Sequence, residues 1–407
     1  MNVLFLGLGK YKSINSRGIY LDLLREFVRG GHEVYIVTAL EPESKEPFSL
    51  VKEDHAQILK VKTGRITKTN PIEQGINTLL LQKRYIKAIE KHYPNVRFDL
   101  VLYPTPPITF LKVVEYIKKR DKATAYLMLK DIFPQNAVDI GMMSKSGVKG
   151  LMYRYFRNKE KKLYKVSDRI GCMSEANVAY LLKHNPEVDP KKVMVCPNSA
   201  EIVDMSVDEA TRTEIRNKYG IPLDKKVFVY GGNLGKPQGI PFIVKCLEKA
   251  KDIDDAFFLI VGDGTEYAKL SAYSERAQQN NLKLMKRIPK DDYDKLAGAC
   301  DVGLIFLDHR FTIPNFPSRL LSYMQAKIPV LACTDPNTDV GKVITGGGFG
   351  WWCESDDAQA FADTVKKALS ELPAHDRQNE ENFLIQNYTS RKTFEIIMNS
   401  LGGDKAK

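Results

Sequence analysis

Apolar residues along the chain fall into short runs separated by stretches in which they recur at helical spacing. Val3–Leu8 reads as a buried strand ending in a Gly7-Leu8-Gly9 turn. From Gly18 to Arg29, Tyr20, Leu23, Leu24 and Phe27 line one face of a helix, and Gly30-Gly31 stops it. His32–Thr38 is the next strand, with further strands expected at Ala56–Val61, Leu100–Tyr103, Ala123–Leu129, Arg169–Met173 and Val193–Cys196. Helical patterns fall at 74–92, 107–119, 148–165 and 175–183. Strands alternating with helices imply βαβ units and a parallel sheet.

The pattern lapses near Pro197–Glu209 and then restarts. Lys226–Tyr230 runs into Gly231-Gly232, and a helix follows from Gly239 to Ala250. Phe257–Val261 runs into Gly262-Asp263-Gly264. Strands are expected at Leu282–Met285, Val302–Leu307, Pro329–Cys333 and Gly350–Cys353, with helices near 265–279, 292–298, 316–326 and 356–370. The chain is therefore expected to be α/β, with two doubly wound units whose strand C-termini present their loops to a shared cleft.

Composition narrows this picture. Of 407 residues, 43% are hydrophobic and 27% charged, a globular profile with two cores' worth of chain. No apolar run approaches the ~20 residues of a spanning helix. The first residues read as a strand and not as the basic n-region of a signal peptide, so a cytoplasmic protein is expected. Cysteines 172, 196, 246, 300, 333 and 353 stand singly, mostly in apolar runs, and read as buried small hydrophobes. The six histidines are scattered, and no zinc constellation is expected. Residues 1–200 carry 34 Lys and Arg against 20 Asp and Glu, whereas 201–407 carry 27 against 30. A basic first half suits an anionic partner or is a solubility surface.

Gly7-Leu8-Gly9 is not a dinucleotide fingerprint, because position 12 is Lys12 and no acidic residue ends the second strand. The turn either serves tight strand-to-helix packing or lets a phosphate or sugar approach backbone N–H groups at Gly9. Asp291-Asp292-Tyr293-Asp294 follows Pro289 and reads as the acidic opening of a helix, not a metal motif.

Four segments of the second half come in a characteristic order: VFVYGGNLGKPQGI, FFLIVGDG, LMKRIPKDDYDKLAGACDVGLIFL and PNFPSRLLSYMQAKIPVLA. The first half adds SRGIYLDLLREFVRGGHEVYIVT, KDIFPQNAV, SDRIGCMSEANVAYLL and KVMVCPNSAEI. Together they resemble the family 4 glycosyltransferases over nearly the whole chain, and DIFPQ resembles a loop of the subset that builds capsule, O-antigen and exopolysaccharide units. The resemblance implies a GT-B fold of two Rossmann-like domains: 1–200 for the acceptor, 201–384 for the nucleotide sugar, and 385–407 as a helix returning to the first domain. It implies sugar transfer from a nucleotide diphosphate donor, UDP-linked, to a polyprenyl-diphosphate-linked or oligosaccharide acceptor. Stereochemistry would be retained, without a metal or other cofactor.

In the family, a basic pair stabilises the departing diphosphate. Arg319 matches its second member. Asn233 and Gln238 occupy the positions usual for the first, and Lys236 is close enough to substitute. The implied donor set is Gly9, Gly232, Asn233, Lys236, Gly262, Ile288, Asn315, Ser318, Arg319 and Ser322. A family pair of glutamates is replaced by Pro314 and Ser322, and a hydroxyl cannot clamp the ribose diol as a carboxylate does. Asp131 is the candidate for contacting the acceptor or stabilising oxocarbenium-like charge; its alternative is an N-cap or Asx turn before Pro134. No carboxylate pair of the glycosidase kind is expected.

Lys145–Lys165 holds eight Lys or Arg and one Glu among apolar and aromatic residues. On a helix, Lys149, Arg154, Arg157, Lys161 and Lys162 would form a surface for an anionic membrane, at the inner face of the cell membrane where a lipid-linked acceptor lies. The alternative is a solvated face whose apolar side packs on the sheet. Two other functions remain open: a non-catalytic GT-B partner subunit, which the missing glutamates suit, and a nucleotide-sugar 2-epimerase, which needs more cleft carboxylates and histidines than are visible. A nucleic-acid partner is not expected, since no such motif is present.

Overall fold

The computed structural model describes residues 1–42, 49–65 and 71–402. The chain divides into two compact units, residues 1–201 with 390–407, and residues 202–389.

The strands of the first unit are β1 (Asn2–Gly7), β2 (Glu33–Leu40), β3 (Leu50–Glu53), β4 (Ala56–Lys62), β5 (Leu100–Thr105), β6 (Thr124–Leu129), β7 (Arg169–Cys172) and β8 (Val193–Val195). Its helices are α1 (Ile19–Arg29), α2 (Pro71–His92), α3 (Leu111–Asp121), α4 (Gln135–Asp139), α5 (Gly147–Val166) and α6 (Glu175–His184). The sheet order is β3-β4-β2-β1-β5-β6-β7-β8, parallel except for β3. Strand order reverses between β1 and β5, so the loops after them flank the crevice of this unit.

In the second unit α7 (Glu209–Lys218) precedes β9 (Lys226–Asn233), α8 (Ile240–Lys249), β10 (Ala256–Asp263), α9 (Tyr267–Ala277), β11 (Leu282–Met285), α10 (Lys290–Gly298) and β12 (Val302–Phe306). Then come α11 (Arg319–Gln325), β13 (Val330–Thr334), α12 (Val340–Gly346), β14 (Gly350–Glu354), α13 (Ala358–Glu371) and α14 (Gln378–Asn387). The all-parallel order β11-β10-β9-β12-β13-β14 reverses between β9 and β12. Central strands are apolar on both faces: Phe228, Tyr230, Phe258 and Ile260 are buried on one, and Val227, Val229, Leu259 and Val261 on the other.

The last helix, α15 (Ser390–Gly402), belongs to the first unit. Phe394 meets Phe27 of α1 edge to face at 4.9 Å, and the Ser400 carbonyl accepts from Arg169 Nε at 2.9 Å.

The expected helix at 107–119 begins instead at Leu111, after a loop with cis peptide bonds at Thr105-Pro106 and Pro106-Pro107. Proline removes donors and favours extended neighbours, which delays helix entry. All six cysteines are free and buried, as small core residues.

Candidate functional site

The site residues of the second unit collect on two loops at its strand-order reversal. Gly232 and Asn233 end β9 and Lys236 lies in the 3₁₀ turn after it, while Asn315 and Ser318 lead from β12 into α11, which Arg319 opens. Gly232 has φ +135°, a conformation side chains avoid, and a Cβ there would sit 3.2 Å from Arg319 Nη2. The guanidinium therefore lies against bare backbone. Gly262, ending β10, is equally constrained: a Cβ would sit 2.1 Å from the Gly232 carbonyl oxygen.

Three tyrosines that periodicity assigns to the core or to a helix surround Arg319. Its guanidinium carbon stands 4.1 Å from the centre of the Tyr230 ring, a cation–π stack. The Tyr230 hydroxyl donates to the Asn233 carbonyl at 2.7 Å, tying the ring to the loop. Tyr323 lies on the next turn of α11; its hydroxyl reaches the carbonyls of Val229 and Leu304, both at 3.1 Å, and accepts from Gly231 N–H at 3.3 Å. Burial pushes the Tyr323 phenol up to about 12, so it stays neutral. A Cβ on Gly231 would fall 1.9 Å from the Tyr293 hydroxyl oxygen, which accounts for the paired glycines. An aromatic directly before Gly-Gly is the only sequence signal for this cage.

Among the described residues no carboxylate pairs with Arg319, and its buried Nη1 has no hydrogen-bond partner. A desolvated, unpaired guanidinium is costly unless a ligand anion completes it. Nearby, the Asn315 side-chain nitrogen is also buried without a partner, while its carbonyl accepts from the Thr338 hydroxyl at 2.5 Å.

The positions that replace the family's first cation hold each other. Asn233 Nδ2 donates to Gln238 Oε1 at 3.2 Å, and Gly235 N–H donates to the same oxygen at 3.1 Å. This amide pair fixes the loop and leaves Lys236 exposed on it. Ser318 is exposed, and Ser322 is half-buried one turn after Arg319. Ile288 is half-buried after β11. No group of three or more His, Cys, Asp or Glu among the described residues could hold a metal ion.

Gly9 and Asp131 lie in the first unit. The Gly9 carbonyl accepts from the Thr38 hydroxyl at 2.5 Å, and the Tyr11 ring covers the face where a Cβ would be. Asp131 follows β6; its Oδ2 accepts from Asn136 Nδ2 at 2.6 Å and its buried Oδ1 has no partner. Burial pushes its carboxyl up to about 6, against the opposing pull of the Ile132 N–H and the Asn136 amide. It does not cap α4, whose N-cap is Pro134. A folded pKa above the unfolded one means that its ionisation weakens the fold as pH rises through about 6. Asp131→Asn is thus expected to raise the melting temperature at pH 8 and to leave it unchanged near pH 4, in parallel calorimetric scans. Equal shifts at both pH values would count against a buried, ionising carboxylate.

One residue of the surface expected on α5 needs correction. Arg157 is half-buried and structural: it donates to Glu160 at 2.6 Å, to the His184 carbonyl at 2.9 Å and to Asn185 at 2.6 Å. Lys161 is exposed and makes a surface pair with Glu187 at 3.0 Å. Lys149, Arg154 and Lys162 are exposed. No described helix is long and apolar enough to cross a membrane.

Residues 19–202 match the family described as Glycosyltransferase Family 4, and residues 211–383 match Glycosyl transferases group 1. The chain is 27% identical over 269 residues to the probable glycosyltransferase WbjE of Pseudomonas aeruginosa, covering 65% of each chain, just under two thirds of that relative's length. It is 22% identical over 391 residues to the putative colanic acid biosynthesis glycosyl transferase WcaI of Escherichia coli (strain K12), covering 92% of this chain and 93% of that one. The structure of Anabaena HepE in complex with UDP-glucose superposes with a TM-score of 0.70 at 15% identity, covering 99% of this chain and 100% of that one. On a GT-B fold, the chain thus consists of a Glycosyltransferase Family 4 domain followed by a Glycosyl transferases group 1 domain.

Proposed function

We propose that the protein transfers a sugar from a nucleoside diphosphate donor, UDP-linked, to a polyprenyl-diphosphate-linked or oligosaccharide acceptor in bacterial surface polysaccharide synthesis. The observation that carries this is Arg319: a half-buried cation with a buried, unsatisfied Nη1 and no carboxylate partner among the described residues, stacked on Tyr230 and facing the bare backbone of Gly232. A donor diphosphate supplies the missing anion. As the glycosidic C–O bond breaks, charge grows on the leaving phosphate, and a cation already in place stabilises it without reorganising. The departing phosphate takes the acceptor proton on the face it leaves, so configuration is retained and no second carboxylate is required. Gly262, Lys236, Asn315, Ser318 and Ser322 would complete the donor site. In the first unit, Asp131 would face the acceptor. The basic balance of residues 1–200 suits an anionic lipid acceptor at the inner face of the cell membrane.

The test is a thermal-shift panel of UDP-, GDP- and dTDP-sugars, followed by transfer assays with the stabilising donor in the presence of EDTA. UDP-sugars are expected to stabilise the fold, and transfer is expected to survive chelation because Arg319 does the work a metal would do. Loss of transfer on chelation, restored by manganese or magnesium, refutes this mechanism. Pro314 and Ser322, where the family carries glutamates, favour a second reading as a non-catalytic partner subunit. Donor binding without either transfer or donor hydrolysis would select it.

A further inference from the structure

We propose that α5 inserts the outer face of its N-terminal half into an anionic lipid bilayer. Val148, Leu151, Met152 and Tyr155 are 85%, 61%, 56% and 46% exposed, and Met142 just before the helix is 60% exposed. Positions 148, 151, 152 and 155 follow the i, i+3, i+4, i+7 rule and form one stripe. The helix has a separate inward face, Gly150, Glu160, Leu163 and Tyr164, so the stripe is surplus to the packing of the fold. Four large apolar side chains on a single exposed face mark an interaction surface and not scattered exposure.

The charges around the stripe select its occupant. Lys159 and Lys162 stand four and seven residues beyond Tyr155 and continue the same face with cations. Lys159 also lies over the Tyr155 ring at 5.5 Å. Lys145, Lys149 and Arg154 are exposed near the stripe. The one acidic residue of this segment, Glu160, is 3% exposed and bound inward by Arg157 and Tyr164. An apolar stripe bordered by cations and free of exposed carboxylates matches a bilayer interface, with acyl chains beneath and phosphates at its edge. A helix of this kind lies in the interface plane with its apolar side roughly 5–10 Å deep. The inference deepens the reading of a lipid-linked acceptor by naming the docking element and its apolar stripe; of the cations expected there, Arg157 is engaged within the fold.

Vesicle binding needs neither donor nor acceptor, so it is measured apart from transfer, and donor binding is measured without vesicles. The full chain is expected to sediment with vesicles of phosphatidylcholine and phosphatidylglycerol. Leu151→Ser with Met152→Ser should weaken partitioning by about tenfold or more at every salt concentration, because the lost contribution is apolar burial. Lys159→Gln with Lys162→Gln should weaken it chiefly at low ionic strength and flatten its salt dependence. As a variant that leaves the stripe intact, Tyr155→Trp should be quenched by brominated acyl chains on binding. Parent-like binding by the double serine variant, or a bound but unquenched Trp, would overturn insertion. So would a parent that self-associates through the stripe in sedimentation and ignores vesicles, since a second copy would then be its occupant.

Discussion

Replacing Arg319 with alanine is expected to abolish donor-induced stabilisation while leaving the empty protein as stable as before, or more so. The two halves of this expectation have the same cause. Without a ligand, the half-buried guanidinium has no carboxylate partner among the described residues and a buried Nη1 with no hydrogen bond, so removing it strands no partner and costs the empty fold little. With a donor, it makes charge-assisted hydrogen bonds to a diphosphate in a shielded site, worth about 3–4 kcal/mol, or roughly 10²–10³ in donor affinity and kcat/KM. A surface arginine would show neither effect. Arg319→Lys should recover only part of the loss, because an ammonium cannot lie flat on Tyr230 or present a planar fork. Tyr230→Phe, which keeps the ring face and loses the hydroxyl's bond to the Asn233 carbonyl, should lose less than Tyr230→Leu, which removes the stack as well. Calorimetric titration decides the matter: a donor affinity unchanged in Arg319→Ala would mean that the diphosphate is held elsewhere.

The legible and illegible parts of the structure differ in physical kind. Strands such as Val3–Leu6 and Phe257–Val261 stood out because parallel strands covered on both faces are apolar at every position. Edge strand β3 escaped notice: Leu50-Val51-Lys52-Glu53 pairs on one side only and is half exposed. Helix α7 escaped for a related reason, since it buries only Ile215 and Arg216 and so has no apolar period to read. Arg319 was legible because ordered motifs surround it in sequence. Its stack on Tyr230 was not, because a tyrosine inside an apolar run reads as core until the chain brings residues 230 and 319 together. The Asn233–Gln238 amide pair depends on the path of a tight loop, which no propensity encodes. On α5 the periodicity was visible, but amphipathic spacing alone does not say which apolar residues face the sheet. Val148 and Leu151 face outward, while Leu163 and Tyr164 face inward.

The largest loss of stability from a single side chain is expected at Asp301, at the N-terminal end of β12. Asp301 is 1% exposed. Its Oδ1 accepts from Arg212 at 2.5 Å, and its Oδ2 accepts from Arg216 at 2.6 Å and from Val227 N–H at 2.8 Å. One carboxylate thereby fastens α7 to β9 and β12. Arg216, 2% exposed, spends its other donors on the carbonyls of Ala299, Pro222 and Lys225 and so cannot swing out to water. Asp301→Ala strands a buried guanidinium and a backbone N–H, at a cost of about 3–5 kcal/mol. For a unit of this size, that is a drop on the order of 10 °C in its melting transition. The acid limb gives an independent check. Burial tends to raise the Asp301 carboxyl, but the Val227 N–H and the two arginines overcome it and hold its pKa below the ordinary value. A depressed folded pKa contributes stability that is complete above the unfolded value of about 3.9 and is lost as pH falls through the folded one. Asp301→Asn should therefore be destabilised at neutral pH, and its deficit should begin to shrink only as pH falls below about 4. In scanning calorimetry, the variants should lower the transition of residues 202–389 and leave that of the first unit in place. An Asp301→Ala protein melting within about 2 °C of the parent would show that Arg212 and Arg216 find other partners, and that the clamp is dispensable.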